Sequence, residues 1–247
     1  MSVRRGIIIV ALLSVIVALT GCSPDFSEYE PIDPDKAGFW HKYFVLPLVN
    51  ALDWFKDLLG NYGLSILAVT LIIRVIVLPL TIKQMKSQKA MQELQPELTK
   101  LREKYKKNQQ KLQEETMKLF QKHNVNPLSG CFPILIQMPI LIAFYQAIIY
   151  NPHIAKSNFL WVQLGQPDST YLLPILAALT TYFQSLMMGS ANNPQTRAFM
   201  WIMPIMIFVI SINFPAALPL YWIYGNLFGM VQYYFIGKHY RVADATK

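Results

Sequence analysis

The sequence predicts an all-α polytopic membrane protein with five transmembrane helices, a cytosolic helical hairpin and an extracytoplasmic amphipathic helix. Three observations carry that prediction. The 247 residues are 53% hydrophobic and 15% charged, against roughly 45–50% and about 25% in soluble domains. The forty residues from Ala198 to Gly237 contain no Asp, Glu, Lys or Arg, enough for two crossings at about twenty apolar residues each. The net charge of +8 is concentrated in a few short segments. This composition excludes a soluble globular enzyme, a disordered chain and a collagen-like chain.

Residues 1–21 carry Arg4 and Arg5, then the apolar run Ile7–Leu19, then small residues, the layout of a secretory signal peptide. Leu19-Thr20-Gly21-Cys22 resembles a bacterial lipobox, in which Cys22 is lipidated and becomes the mature N-terminus. An uncleaved signal anchor with an incidental cysteine is the alternative. Lipidation leaves Cys131 alone, so no intrachain disulfide is expected.

Residues 22–38 are polar and rich in proline and acid, which predicts an extracellular tether. Residues 39–59 place Trp40, Tyr43, Phe44, Leu48, Leu52, Phe55 and Leu59 at roughly helical spacing among charged residues, the pattern of a helix lying on a membrane surface. The five predicted spans are 60–82, 127–150, 171–189, 198–212 and 218–237. They are separated by segment 83–126, an extracellular loop at 151–170, a cytosolic loop at 190–197 and a turn about Asn213-Phe214-Pro215. A basic cytosolic tail, 238–247, follows. The fourth span is short: fifteen residues cover about 22 Å, less than a hydrocarbon core of roughly 30 Å.

Five spans put the two ends on opposite sides. With Cys22 outside, the inner segments carry 15 Lys and Arg and the outer ones 4, the bias expected when the tail is cytosolic. Segment 83–126 alone holds 11 of these cations with five acids. There Met91, Leu94, Leu98, Leu101 and Tyr105 follow 3,4,3,4 spacing, and Leu112, Thr116 and Leu119 resume it after a polar break. This predicts an antiparallel helical hairpin, with Pro96 either kinking the first arm or opening a helix after a break. Its charge suits contact with anionic lipid, or docking of ribosomal RNA or an acidic chain.

Arg74 stands inside the first span. A cation at mid-span costs about 2.5–3.5 kcal/mol on insertion scales and normally faces protein interior or water. None of the five spans contains Asp or Glu, so water and neutral acceptors must solvate it; a strained snorkel to the inner boundary, about 13 Å away, is the alternative. Candidates at comparable depth are Thr70, one turn away, Gln137 in the second span, Thr181, Gln184 and Ser185 in the third, and Trp222 and Asn226 in the fifth. Singly, each such residue reads as interhelical glue; grouped beside an unpaired arginine they predict a wet, positively charged cavity. Gly225 and Gly229 form a GxxxG pattern, read as close helix packing. The sequence has no GxxxxGK, GxGxxG or HExxH motif, and its four histidines are isolated. No catalytic group, metal, cofactor or small-molecule substrate is therefore expected.

The run Asn126-Pro127-Leu128-Ser129-Gly130-Cys131-Phe132-Pro133-Ile134-Leu135-Ile136-Gln137-Met138-Pro139 closely resembles the signature opening the second conserved span of the YidC/Oxa/Alb membrane insertases. Arg74 in the preceding span, the basic hairpin and the five-span core match as well. The lipoprotein signal resembles the Gram-positive branch of that family. The resemblance implies an insertase and chaperone for nascent membrane proteins, working alone or with the Sec translocon and the ribosome. It also implies a hydrophilic groove around Arg74, open to cytosol and lipid, lined by Thr70, Gln137, Gln184 and the Trp222 region. Two other functions fit parts of the pattern: an assembly factor that only recruits a translocon or ribosome, and a small anion channel or transporter.

Overall fold

The computed structural model describes residues 31–123, 125, 132–189 and 194–245. The expected signal peptide, the Cys22 lipidation site and the opening of the signature at 126–131 lie outside these residues. A π-helical turn, His41–Val45, leads into α1, Leu46–Leu59, with Pro47 in its first turn. The single surface helix expected over 39–59 thus begins with a wider turn. Gly60, with φ of 76°, closes α1, and the Asn61 side chain accepts from the Gly63 N–H to open α2, Tyr62–Ile76.

The first expected span, 60–82, is not one straight rod. Helix α2 stops at Val77, and α3, Leu78–Glu93, leaves at 63°. Pro79 explains the break, because its ring clashes with the preceding turn and it has no N–H to donate. Helix α3 then runs on past Lys83, so the membrane boundary drawn at 82/83 falls within a helix. The 83–126 segment accordingly holds three helical pieces: the end of α3, then α4, Gln95–Lys104, and α5, Gln109–Lys122. Pro96 sits in the first turn of α4, the second of the two roles expected for it.

Helix α6, Phe132–Ile149, is followed by a short α7, Pro152–Lys156. Strands β1, Asn158–Phe159, and β2, Val162–Gln163, pair antiparallel within the expected loop, a small departure from all-α. Three helices complete the chain: α8, Leu172–Met187, α9, Pro194–Ser211, and α10, Ala217–Ala245. Helix α10 continues through most of the expected tail. Among the described residues no single helix is long and apolar enough to cross a membrane; the bent α2–α3 pair passes together.

The main core joins Leu52 of α1, Ile66 and Val69 of α2, Phe144 and Ile148 of α6, Leu173 and Ala177 of α8, Ile207 of α9 and Leu220 of α10. It is tied at one end by polar bonds. Asp53 Oδ1 accepts from the Tyr62 hydroxyl and from Asn151 Nδ2, both at 2.7 Å, while Asn151 Oδ1 caps α7. Gly63 lies against the Phe159 ring, where any Cβ would overlap it. Backbone bonds from Ala216 to Gln166 and from Ala217 to Leu164 fix the start of α10 to the 151–170 loop. A separate small core, Leu94, Leu98 and Leu119, holds α4 against α5.

Candidate functional site: a polar row along α10

Arg74 occupies the last turn of α2, not the middle of a continuous rod. The carbonyl-rich end of a helix favours a cation, by about 0.3–1 kcal/mol at exposed sites. Arg74 is half-buried, and none of the ion pairs among the described residues involves it. It faces Gly225 of α10: a methyl group there would overlap Nη2 and lie 3.2 Å from Cζ and 3.3 Å from Nε. Thr70, one turn earlier on α2, is fully buried, and its hydroxyl finds no hydrogen-bond partner among the described residues.

Gln137 of α6 donates from Nε2 to the Tyr221 hydroxyl at 2.7 Å. Tyr221 is itself buried, with its ring stacked on Phe144 at 4.5 Å between centroids. Asn226 donates from Nδ2 to Thr181 Oγ1 at 2.8 Å and to Thr180 Oγ1 at 3.1 Å. Those threonines in turn donate to carbonyls of their own helix, Thr181 to Ala177 and Thr180 to Leu176. Gln184 of α8 rests its amide on Gly229. Gln232, nearer the cytosolic side of the expected topology, donates to Thr81 Oγ1 of α3 at 2.7 Å.

Arg74, Gln137, Gln184, Thr181 and Asn226 are therefore all anchored on or beside α10. Trp222 differs: only 8% exposed, it belongs to the apolar core. Tyr221, Thr180, Thr81 and Gln232 also join these contacts and are not among the residues expected from the sequence. Tyr221 and Gln232 were detectable, since they fall four residues before Gly225 and three after Gly229. The close helix packing expected of GxxxG stands, with α10 lying against α2 and α8, and at both glycines the nearest atoms are polar side-chain heads.

Two cavities lie away from this row. One of about 450 Å³ opens beside Asp53, Lys56, His153 and Lys156. The other, about 340 Å³, lies between α4 and α5 among Lys100, Lys104, Lys118 and Lys122. Among the described residues no group of three or more His, Cys, Asp or Glu side chains converges to hold a metal.

Residues 54–243 match the family model described as 60Kd inner membrane protein. The chain is 53% identical to membrane protein insertase YidC 2 of Bacillus anthracis, covering 91% of this chain and 92% of that one. It is 54% identical to membrane protein insertase MisCA of Bacillus subtilis, covering 94% and 91%. A crystal structure of an active YidC insertase with its first transmembrane domain resolved aligns with a TM-score of 0.66 at 28% identity. That alignment covers 80% of this chain and 47% of the solved one, so the chain spans about half the length of that structure. By family model and by relatives matched over nearly their whole length, this chain belongs to the YidC family of membrane protein insertases.

Proposed function

We propose that this protein inserts newly made membrane proteins into the cell membrane and helps them fold, using the polar row along α10 as a hydrophilic groove. The observation that carries this reading is Arg74, a half-buried cation without a carboxylate partner among the described residues. Its head lies against Gly225 of α10, the helix on which Tyr221 and Asn226 bond the neutral side chains of Gln137 and Thr181. In this reading the chain spans the membrane five times, with the Cys22 end outside and lipid-anchored and the α10 tail in the cytosol. The groove is lined by Arg74, Thr70, Gln137, Thr181, Gln184 and Asn226, with Trp222 supporting it from the core.

The physical task is to move a polar flank through hydrocarbon, which is costly for each charge. A groove lined by hydrogen-bonding groups shortens the dry part of that path, and the Arg74 charge attracts an acidic flank. The apolar segment of the substrate then leaves sideways into lipid, past the exposed Ile72, Val75 and Ile76 of α2 and Leu179 and Phe183 of α8. That partition supplies the driving force, so no bond is made or broken and no nucleotide is consumed. Contacts with a Sec translocon or ribosome fall to the basic α4–α5 hairpin in this scheme.

The test is reconstitution of the purified protein alone in liposomes, reading protease protection of a single-span substrate's acidic tail. Protection above that in empty liposomes is expected, and Arg74→Ala should reduce it more for acidic tails than for uncharged ones. Equal insertion of both tails by Arg74→Ala would remove the role assigned to this cation. No protection by the folded wild-type protein would instead favour a factor that only recruits other machinery.

A further inference from the structure

We infer that Gly225 and Gly229 of α10 are seats for two polar heads, and that Gly225 sets the position of the groove's cation by holding the Arg74 guanidinium. In an ordinary GxxxG contact the missing side chains let a second backbone approach. Here all three atoms nearest a Cβ at Gly225 belong to the Arg74 head, Nη2, Cζ and Nε. All three nearest Gly229 belong to the Gln184 side chain, Nε2, Cδ and Cγ. The guanidinium thus lies over the bare Cα of Gly225, and the carboxamide over that of Gly229.

The neighbours on the same face of α10 frame these seats. Tyr221, one turn before Gly225, is engaged by Gln137 at 2.7 Å. Gln232, one turn after Gly229, is bonded to Thr81 at 2.7 Å. Positions 221, 225, 229 and 232 therefore meet polar side chains from α6, α2, α8 and α3 in turn. A methyl at Gly225 would push the Arg74 head off its seat. Arginine is long and flexible enough for the fold to survive this, but the charge moves. Attraction for an acid falls with distance, and steeply so away from bulk water. Gly225 is thus a positioning residue acting through Arg74. Its consequence for acidic tails rests on the insertase reading; the seat itself does not.

The experiment compares wild type, Gly225→Ala, Arg74→Lys and the double variant, each reconstituted in bilayers. Phenylglyoxal modification is followed at the Arg74 peptide by mass spectrometry, with Arg102 and Arg197 as internal references. Gly225→Ala should raise the Arg74 rate several-fold and leave the references unchanged. An unchanged Arg74 rate, or a rise at all three arginines, overturns the seat. In the same proteoliposomes, Gly225→Ala should lower acidic-tail insertion about fivefold, the size of coupling expected between contacting residues. It should have no further effect on Arg74→Lys, whose slender ammonium has no Nη2 to displace. Faster labelling without lost insertion, or an equal loss in both backgrounds, overturns the positioning role. If wild type inserts nothing, the insertase reading fails, while the labelling still decides the seat.

Discussion

Asp168 is buried in the 151–170 loop, where it organises the entry to α8. Its Oδ2 accepts from the Leu173 N–H at 2.8 Å, and its Oδ1 from the Thr170 N–H and hydroxyl at 2.9 and 2.6 Å. Burial alone would raise its pKa, but these bonds, with help from Trp161, outweigh burial and hold the carboxyl below its ordinary value. A carboxylate with a lowered folded-state pKa contributes stability in full above its unfolded pKa. That contribution disappears as pH falls through the lower, folded value. Asp168→Asn should therefore destabilise the protein by about 1–3 kcal/mol at neutral pH, with the gap closing under acid. Thermal unfolding of both proteins in bilayers from about pH 7 down to about pH 2, either side of the ordinary carboxylate range, checks this; a gap constant with pH removes the electrostatic cause. Arg74 was legible in the sequence because a lone cation in an apolar run has few explanations. Gly225 was not, because a missing side chain does not say which neighbour fills the space. Tyr221 was within reach by its spacing from Gly225, but its link to Gln137, 84 positions away, was not.

Pro96 opens α4, one of the two roles its position predicted, yet the 63° turn at Val77 was not legible from apolar length alone. A hydropathy run registers how much of the chain is greasy and is blind to a change of direction within it. The same limit hid the third helical piece of the 83–126 segment, since the Met91–Tyr105 stripe continues in phase across the break at Leu94. Some residues of the stripe meet in the small core that joins α4 and α5. Leu94, Leu98 and Leu119 form a core separate from the main one, with Met91, Leu101, Phe120 and Val125 around it. Two cores imply two units of stability. Leu98→Ala should cost about 2–5 kcal/mol in the small core, enough to loosen α4 and α5 while the helices around Leu52, Phe144 and Leu220 hold. Hydrogen exchange read by peptide should rise across 95–122 and stay level in α6 and α8. A uniform rise would mean that the hairpin and bundle unfold as one. The surface charges there add little: Lys118 bridges Glu114 at 2.6 Å and Glu115 at 3.0 Å, but Lys118 and Glu114 are exposed and Glu115 only half-buried, where water screens such pairs.

Over the whole molecule, helix length is the property that bears most directly on the proposed activity. Helices α8 and α9 have 16 and 18 residues, or about 24 and 27 Å at 1.5 Å per residue. A hydrocarbon core of roughly 30 Å is longer than either. A bilayer meeting short helices thins locally, at a fraction of a kcal/mol for each Å of mismatch. Arg74 sits in the last turn of α2, directly before the bend, and its head lies against Gly225 of α10. Local thinning would thus bring the groove closer to both water phases and shorten the dry path for a substrate's polar flank. The benefit should shrink when the surrounding bilayer resists thinning. Insertion of one acidic-tailed substrate, measured in phosphatidylcholine vesicles of increasing acyl length at matched fluidity, should fall steadily as the hydrocarbon grows thicker. Substrate partitioning into protein-free vesicles of the same series corrects for the lipid alone. A corrected rate independent of thickness would mean that the groove works without thinning, leaving the Arg74 cation and its neutral partners to lower the barrier unaided.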